Sequence, residues 1–331
     1  MGPRSTTGHM DLPRMVEGGL DVAFYSIYVA ARFYGDESSL LAPATKPGGD
    51  WPRPQDDGTS NASAHRALDM IDGLVRTVDR YPDRMRLCTS TVDIRAAVAA
   101  GKHAALMGIE GGHAIEGDLG LLRLFHRLGV RYMTLTHTNH NEYADSCAPA
   151  EPRWGGLNRL GVKVIAEMNR LGIVIDITHA TEAAQRQIIA ASKAPVVASH
   201  TGMQALCNNP ANMPDDILRA LAAKGGLVGI HANSVVISQR YWDWSRMRPP
   251  VPGIQDTARA EFSQVRSPNQ DYGEYIDALD KYNGNLWRTR FAEPWQDAPE
   301  AAALVPTPDE WAAHVEHAVK IAGPTHVAIG L

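Results

Sequence analysis

Cysteine is scarce in this chain: Cys88, Cys147 and Cys207 are the three present, and no CxxC pair occurs. That excludes a thiolate-rich structural metal site and a disulfide-built scaffold, and leaves at least one thiol unpaired in a monomer. Long apolar runs are missing too. None approaches the ~18 residues that a membrane-spanning helix needs, and the opening MGPRSTTG has no apolar stretch of the signal-peptide kind. The chain therefore reads as soluble with no membrane segment, cytoplasmic, or periplasmic or secreted if a signal lies upstream. Excess positive charge is absent as well: the net charge is −5 over 331 residues, so no basic patch invites nucleic acid. No internal repeat or low-complexity tract stands out.

What is present is ordinary globular composition, 44% hydrophobic and 21% charged, in a chain long enough for one large α/β barrel. Eight short apolar or β-rich runs read as strands: His9–Leu12, Ala23–Val29, Ala104–Glu110, Tyr132–His137, Ile173–His179, Pro195–His200, Leu227–Ala232 and His326–Leu331. Amphipathic runs at Ala64–Val78, Leu119–Leu128, Leu157–Leu171, Glu182–Ala191, Asp215–Ala223 and Glu310–Ala322 read as helices between them. Strands alternating with helices imply parallel pairing through crossovers, and eight such units imply an α/β fold of the (β/α)8 TIM-barrel class ending at the eighth strand. One domain over 1–331 is expected, with two long inserts. The stretch 34–61 is rich in Pro, Gly and Asp, and 234–306 carries Trp242, Trp244, Trp287 and Trp295. Inserts with their own aromatics serve as packing or subunit contacts, which makes a homodimer an expected assembly, or they touch substrate directly.

Three of the runs stop on a metal-ligand residue: MGIEGG at Glu110, VIDITH at His179 and VVASH at His200. A fourth string, His9-Met10-Asp11, spaces two ligands for one face of a strand, where side chains alternate with period two. Active sites of such barrels lie at the C-terminal strand ends, where Glu110, His137, His179 and His200 fall. Imidazole and carboxylate donors without thiolate suit Zn²⁺ held for chemistry rather than as a closed structural site. A carboxylate such as Glu110 can bridge two ions, and an ion pair of that kind hydrolyses amides without a protein nucleophile. Each residue also has a plainer reading. Glu110 could be a salt-bridged carboxylate at the core edge, His179 and His200 neutral core histidines, and Gly8-His9-Met10 a vector-derived string. His113 and His140 have no spacing argument, and Asp176 either orients a ligand or hydrogen-bonds within the core.

The strings GIEGGHAIEGDLGLLRLFHRLGVRYMTLTH with NEYADS, MNRLGIVIDITH, APVVASHTG and NMPDD resemble the membrane (renal) dipeptidase family, peptidase family M19, metallopeptidases of the amidohydrolase superfamily. The resemblance runs from His9 to the last residue apart from the inserts, and the Glu110-to-His137 and His179-to-His200 spacings match the family pattern. It implies a metal-dependent hydrolase barrel holding two Zn²⁺. By resemblance, His9 and Asp11 bind one zinc, His179 and His200 the other, and Glu110 bridges them. His137 corresponds to the histidine that binds substrate and steadies the developing oxyanion.

The expected activity is zinc-dependent hydrolysis of dipeptides, a small peptide or amide being the partner. Two departures open alternatives. Where the family carries an arginine thought to take the substrate's terminal carboxylate, this chain has Ala211, which favours N-acyl amino acids, lactones or cyclic amides as substrates, unless a residue of the second insert such as Arg240 or Arg246 supplies the clamp. The chain also stops at HVAIGL, short of the family's Asp-containing motif, which implies a fragment, a processed form or a catalytically impaired metal-binding barrel.

Overall fold

A parallel sheet is what the alternation of apolar runs and amphipathic helices dictates, because each strand must return over a face that a helix then covers. The computed structural model describes Arg4 and residues 10–29, 63–149, 151–247 and 303–330. Its strands are β1 (Val22–Tyr28), β2 (Met85–Leu87), β3 (His103–Glu110), β4 (Val130–Thr134), β5 (Val174–Asp176), β6 (Val196–Thr201), β7 (Leu227–His231) and β8 (Val327–Gly330). The order is β1-β3-β4-β5-β6-β7-β8, with β2 paired to β3, and every pairing is parallel. This is an α/β fold built on a parallel half-barrel; among the described residues no pairing joins β1 to β8.

β3 is buried along seven of its eight residues, since β1 and β4 flank it and both faces are covered, and its HAALMGI sequence is the continuous apolar run such a position selects. The edges differ. Phe24 on β1 is 46% exposed and Ile329 on β8 is 68% exposed. Helices between the strands bury one stripe each. The chain order runs α1 (Leu12–Glu17), α2 (Ser63–Arg80), α3 (Thr91–Ala99), α4 (Leu119–Leu128), α5 (Arg159–Leu171), α6 (Glu182–Ala191), α7 (Asp215–Ala223), α8 (Ser234–Ile237), α9 (Gln239–Arg246) and α10 (Pro308–Ala322). In α4, Asp118 caps the start by accepting from Gly120 N, Gly129 at φ 112° ends it, and Leu122 and Phe125 face the core. Truncating a buried phenylalanine such as Phe125 to alanine costs about 3–5 kcal/mol.

Several expectations need correction. The strand expected at His9–Leu12 does not form: Leu12 opens α1, Asp11 is its N-cap, and Pro13 sits in the first turn, so cap chemistry prevails over period-two spacing. His9 itself lies outside the described residues. β4 ends at Thr134 and β5 at Asp176, so His137 and His179 stand on the loops just beyond their strands rather than within them. β2 and α3 form a unit that the sequence reading did not separate. The insert at 34–61 lies outside the described residues, as do Trp287 and Trp295. Where the second insert is described it is helical at its start, as α8 and α9. His314 of α10 ties that start to the loop after β6: its Nδ1 accepts from Met203 N at 2.8 Å and its Nε2 donates to the Ile237 carbonyl at 3.1 Å.

Candidate metal centre

Four strand ends carry imidazole or carboxylate to one point. Tyr28 pairs with Glu110 across β1 and β3, and two residues earlier Ser26 Oγ donates to Glu110 Oε2 at 2.7 Å, fixing that carboxylate. The other oxygen, Oε1, lies 3.3 Å from His200 Nε2, 3.4 Å from His179 Nε2 and 3.6 Å from His137 Nε2. His179 Nε2 and His200 Nε2 are 3.0 Å apart. The four side chains are 14–19% exposed, enclosed yet reachable from solvent.

Local backbone geometry makes the convergence. Gly111 takes φ 106°, and a Cβ on Gly112 would lie 2.6 Å from the Leu135 carbonyl oxygen, so the pair of glycines lets the chain turn away directly after Glu110. His179 has φ 64°, an uncommon left-handed position for a residue with a side chain, and its carbonyl is held by Cys147 N at 2.8 Å. The His137 carbonyl accepts from Ser146 Oγ.

Asp176 stands behind the cluster. It is fully buried and accepts from Thr134 Oγ1 at 2.6 Å, Thr178 N at 3.0 Å, Thr178 Oγ1 at 2.7 Å, Ser199 N at 3.0 Å and Ser199 Oγ at 2.6 Å. Ser199 Oγ lies 2.8 Å from His200 Nδ1. A carboxylate only accepts, so the Ser199 hydroxyl proton goes to Asp176 and its lone pair takes the Nδ1 proton of His200. Asp176 is thus a core hydrogen-bond hub that fixes the His200 ring through Ser199.

The electrostatics suit an anion among imidazoles. Burial pushes the Glu110 carboxyl upward, but hydrogen bonds from His179 and His200, the charge on His200 and the Ser26 hydroxyl outweigh it and hold the group well below the usual carboxylate range. Burial lowers His137 to about 3, with His179 adding to the effect and Glu110 opposing it. Burial also lowers His200, yet Glu110 and Asp176 more than compensate and raise it. Imidazole and carboxylate at this spacing, with no thiolate among them, are a donor set that fits a first-row divalent ion. The sequence-derived residues Glu110, His137, His179 and His200 are therefore brought together, and Glu110, His137 and His179 alone already have the closeness of a metal-binding group.

Asp11 is buried, and its carboxylate serves α1: Oδ1 accepts from Arg14 N at 2.9 Å and Oδ2 pairs with the Arg14 guanidinium. His113 and His140 stay outside the cluster; His113 Nε2 bonds the Val29 carbonyl at 2.8 Å and His140 bridges Ser146 N and the Glu151 carbonyl. Ala211 sits on the loop after β6, its carbonyl accepting from Thr201 Oγ1 at 2.8 Å. Arg240 pairs with Glu310 at 2.8 Å, and Arg246 lies over the Trp242 ring. Sequence reasoning missed Ser26, Tyr28, Ser199 and His231. Tyr28, His137, His179, His200 and His231 form an unbroken row of edge-on rings with centroids 4.8, 4.4, 4.9 and 5.3 Å apart. The available signal for His231 was its place at the end of an apolar run, the same position as Glu110 on β3.

Comparison with known proteins places this geometry in context. The profile of the membrane dipeptidase family (peptidase family M19) matches residues 3–331. A dipeptidase of Aspergillus oryzae, aclJ, is 38% identical over 272 residues, which are 81% of this chain and 56% of that protein. Dipeptidase 3 of Rattus norvegicus is 34% identical over 67% of this chain and 41% of its own length. The chain spans about half the length of the curated relatives it matches. Among solved structures, the probable dipeptidase PvdM of Pseudomonas aeruginosa aligns with TM-score 0.71 and 22% identity over 99% of this chain and 78% of that one. A Rhodobacter sphaeroides metallopeptidase aligns with TM-score 0.65 and 24% identity over 98% of this chain and 77% of that one. These two likenesses concern the fold. Among the described residues no helix is long and apolar enough to cross a membrane.

Proposed function

The chain belongs to the membrane dipeptidase family, and from that premise we propose that it is a zinc-dependent dipeptidase, a hydrolase of peptide bonds, with two Zn²⁺ bridged by Glu110. The observation that carries the reading is the approach of three imidazole Nε2 atoms, from the ends of three successive strands, to within 3.6 Å of one Glu110 oxygen. His179 and His200 hold one ion, and His9 and Asp11 the other. For the second pair the support is the family motif, since Asp11 is occupied with Arg14 and His9 lies outside the described residues. When bound, the ion pair supplies Lewis acidity that activates water and polarises the peptide carbonyl.

The protein's own residues do the rest. Glu110, anchored by Ser26, keeps its negative charge and fixes the spacing of the site. The Asp176–Ser199 relay holds one His200 proton on Nδ1, so that an ion arriving at Nε2 would have only the proton facing Glu110 to displace. His137, held neutral by burial and rigid through its carbonyl, turns an N–H toward the oxygen of the carbonyl under attack as it gains charge. The half-barrel is proposed to close into a (β/α)8 barrel that makes 1–331 one domain, with a homodimer as the assembly. Substrate is a small peptide that reaches the site from solvent.

The experiment that tests this is elemental analysis of the purified protein combined with hydrolysis of a dipeptide library bearing L- and D-residues at the C-terminus. About two zinc ions per chain and turnover of one part of the library are expected; a metal-free protein inert to every dipeptide sinks the reading. The 3.6 Å approach of His137 to Glu110 favours a second role for that histidine, as a ligand. Metal content of His137→Ala separates the two roles.

A further inference from the structure

His231 is the fourth imidazole in the row and has no assigned work. It is the last residue of β7, one strand beyond His200, and its ring meets the His200 ring edge-on at 5.3 Å. Unlike His137, His179 and His200, it forms no ion pair with Glu110. Its Nδ1 is enclosed by protein and makes no hydrogen bond of normal geometry, the ring's polar neighbour being the backbone of Gly330 in register on β8, and the side chain as a whole is part-exposed. A ligand cannot reach the enclosed nitrogen, which leaves Nε2 as the ring nitrogen to meet a molecule entering the site. An imidazole is polar to bury and gives less packing than an aliphatic side chain, so its presence at a strand end in the site calls for a polar partner.

We propose that His231 is a substrate-binding residue, hydrogen-bonding through Nε2 to a polar backbone group of the bound peptide on the side of the His179–His200 pair away from His137. This rests on the dipeptidase reading and extends it. His137 and His231 then bracket the peptide at either end of the four imidazoles, with the proposed ligand histidines between them. Both ends of a dipeptide carry charge, and a hydrogen bond to either end or to the central amide satisfies the geometry.

The test uses the full chain loaded with zinc and a phosphinate isostere of a dipeptide as the probe, its binding followed by calorimetry beside dipeptide kinetics. His231→Phe keeps a ring against His200 and removes the nitrogen; His231→Gln removes the ring and keeps a hydrogen-bonding amide. The expected result is that both variants hold as much zinc as the parent, that His231→Phe weakens probe binding and raises KM by about tenfold with kcat little changed, and that His231→Gln restores binding to within about threefold. The imidazole ¹⁵N signal of His231, assigned by its loss in either variant, should also shift when the probe is added. A His231→Phe protein that binds the probe as the parent does, or a His231→Gln protein no better than His231→Phe, reduces the residue to ring packing and overturns the proposal. Loss of zinc from both variants makes His231 a ligand and overturns it too. A zinc-loaded parent that does not bind the probe overturns the dipeptidase reading, and this proposal falls with it; a parent that binds and hydrolyses while the His231 signal stays still overturns only the role of His231.

Discussion

The candidate site has two halves, and they are built on different footings. On the β5–β6 side, His200 stands on a strand whose backbone groups already pair with their neighbours and His179 on the loop just beyond β5, and behind them Asp176 takes five hydrogen bonds and passes orientation to His200 through Ser199. At the N-terminal end, Asp11 begins a helix whose first N–H groups have no partner within it, and its carboxylate is drawn into satisfying them. A strand leaves its side chains free for chemistry; a helix start recruits an acidic side chain to itself. Arg14 lies as a cation against Asp11 Oδ2 while Oδ1 caps the helix, so a metal ion at Asp11 has to displace the guanidinium and can leave the cap intact.

In the proposed site Glu110 belongs to both halves, and its replacement is the largest expected effect. Glu110→Gln keeps the shape and the Ser26 contact, removes the charge that faces three imidazoles, and should abolish turnover with loss of metal from both sites, read by elemental analysis and dipeptide kinetics. If only one ion is lost, the two halves are independent and the bridge is wrong. His137→Ala comes next. It should hold its metals and lose about 10²–10³ in kcat, the scale of one oxyanion donor. Metal loss on that change would place His137 in the better-ordered half as a third imidazole ligand.

The same contrast governed what could be read from the sequence. α4, α6 and α7 begin and end where the amphipathic pattern places them, because Asp118, Thr181 and Pro214 mark their starts and the apolar stripes are unbroken. β3 was legible as a run too apolar for a surface. The ends of β4 and β5 were not. In VIDITH the Asp176 carboxylate bonds to Thr178 N and bends the backbone out of the ladder before His179, a tertiary and local competition that an apolar count does not register. Asp11-Leu12-Pro13 carried a visible helix-start signal that the period-two spacing of His9 and Asp11 masked. Glu110, His179 and His200 were readable because each ends an apolar run. Ser199 was invisible, since its role depends on two neighbouring strands placing Asp176 behind it.

A smaller effect sharpens the ordered half. In Asp176→Asn the amide nitrogen occupies one carboxylate position and donates to Ser199 Oγ, so the serine must send its own proton toward His200 Nδ1. That moves the imidazole proton to Nε2, the atom that faces Glu110. Affinity for the ion at His179 and His200 should fall about 10–100-fold, the usual consequence of losing a partner that orients a ligand, measured by competition with a zinc chelator. Ser199→Ala should share the loss, since the relay runs through its hydroxyl. If Asp176→Asn lowers thermal stability but leaves zinc affinity untouched, Asp176 is a core hydrogen bonder and nothing more.

The change expected to disturb the fold least is the one best able to break the comparison. Asn caps helices about as well as Asp, so Asp11→Asn should leave the stability of the metal-free protein within about 0.5 kcal/mol of the parent, whereas Asp11→Ala should cost about 1 kcal/mol. Capping predicts that difference whether or not Asp11 binds an ion. Coordination predicts something else: both substitutions remove the anionic Oδ2 that an ion would take from Arg14, and both should lower the zinc content from about two to about one while the His179–His200 ion stays. Thermal melts of the apo proteins and elemental analysis of the loaded ones read the two roles separately. Two retained ions in Asp11→Asn would leave Asp11 a cap and Arg14 its permanent partner, and would make the β5–β6 half, with Glu110, the whole of the metal centre.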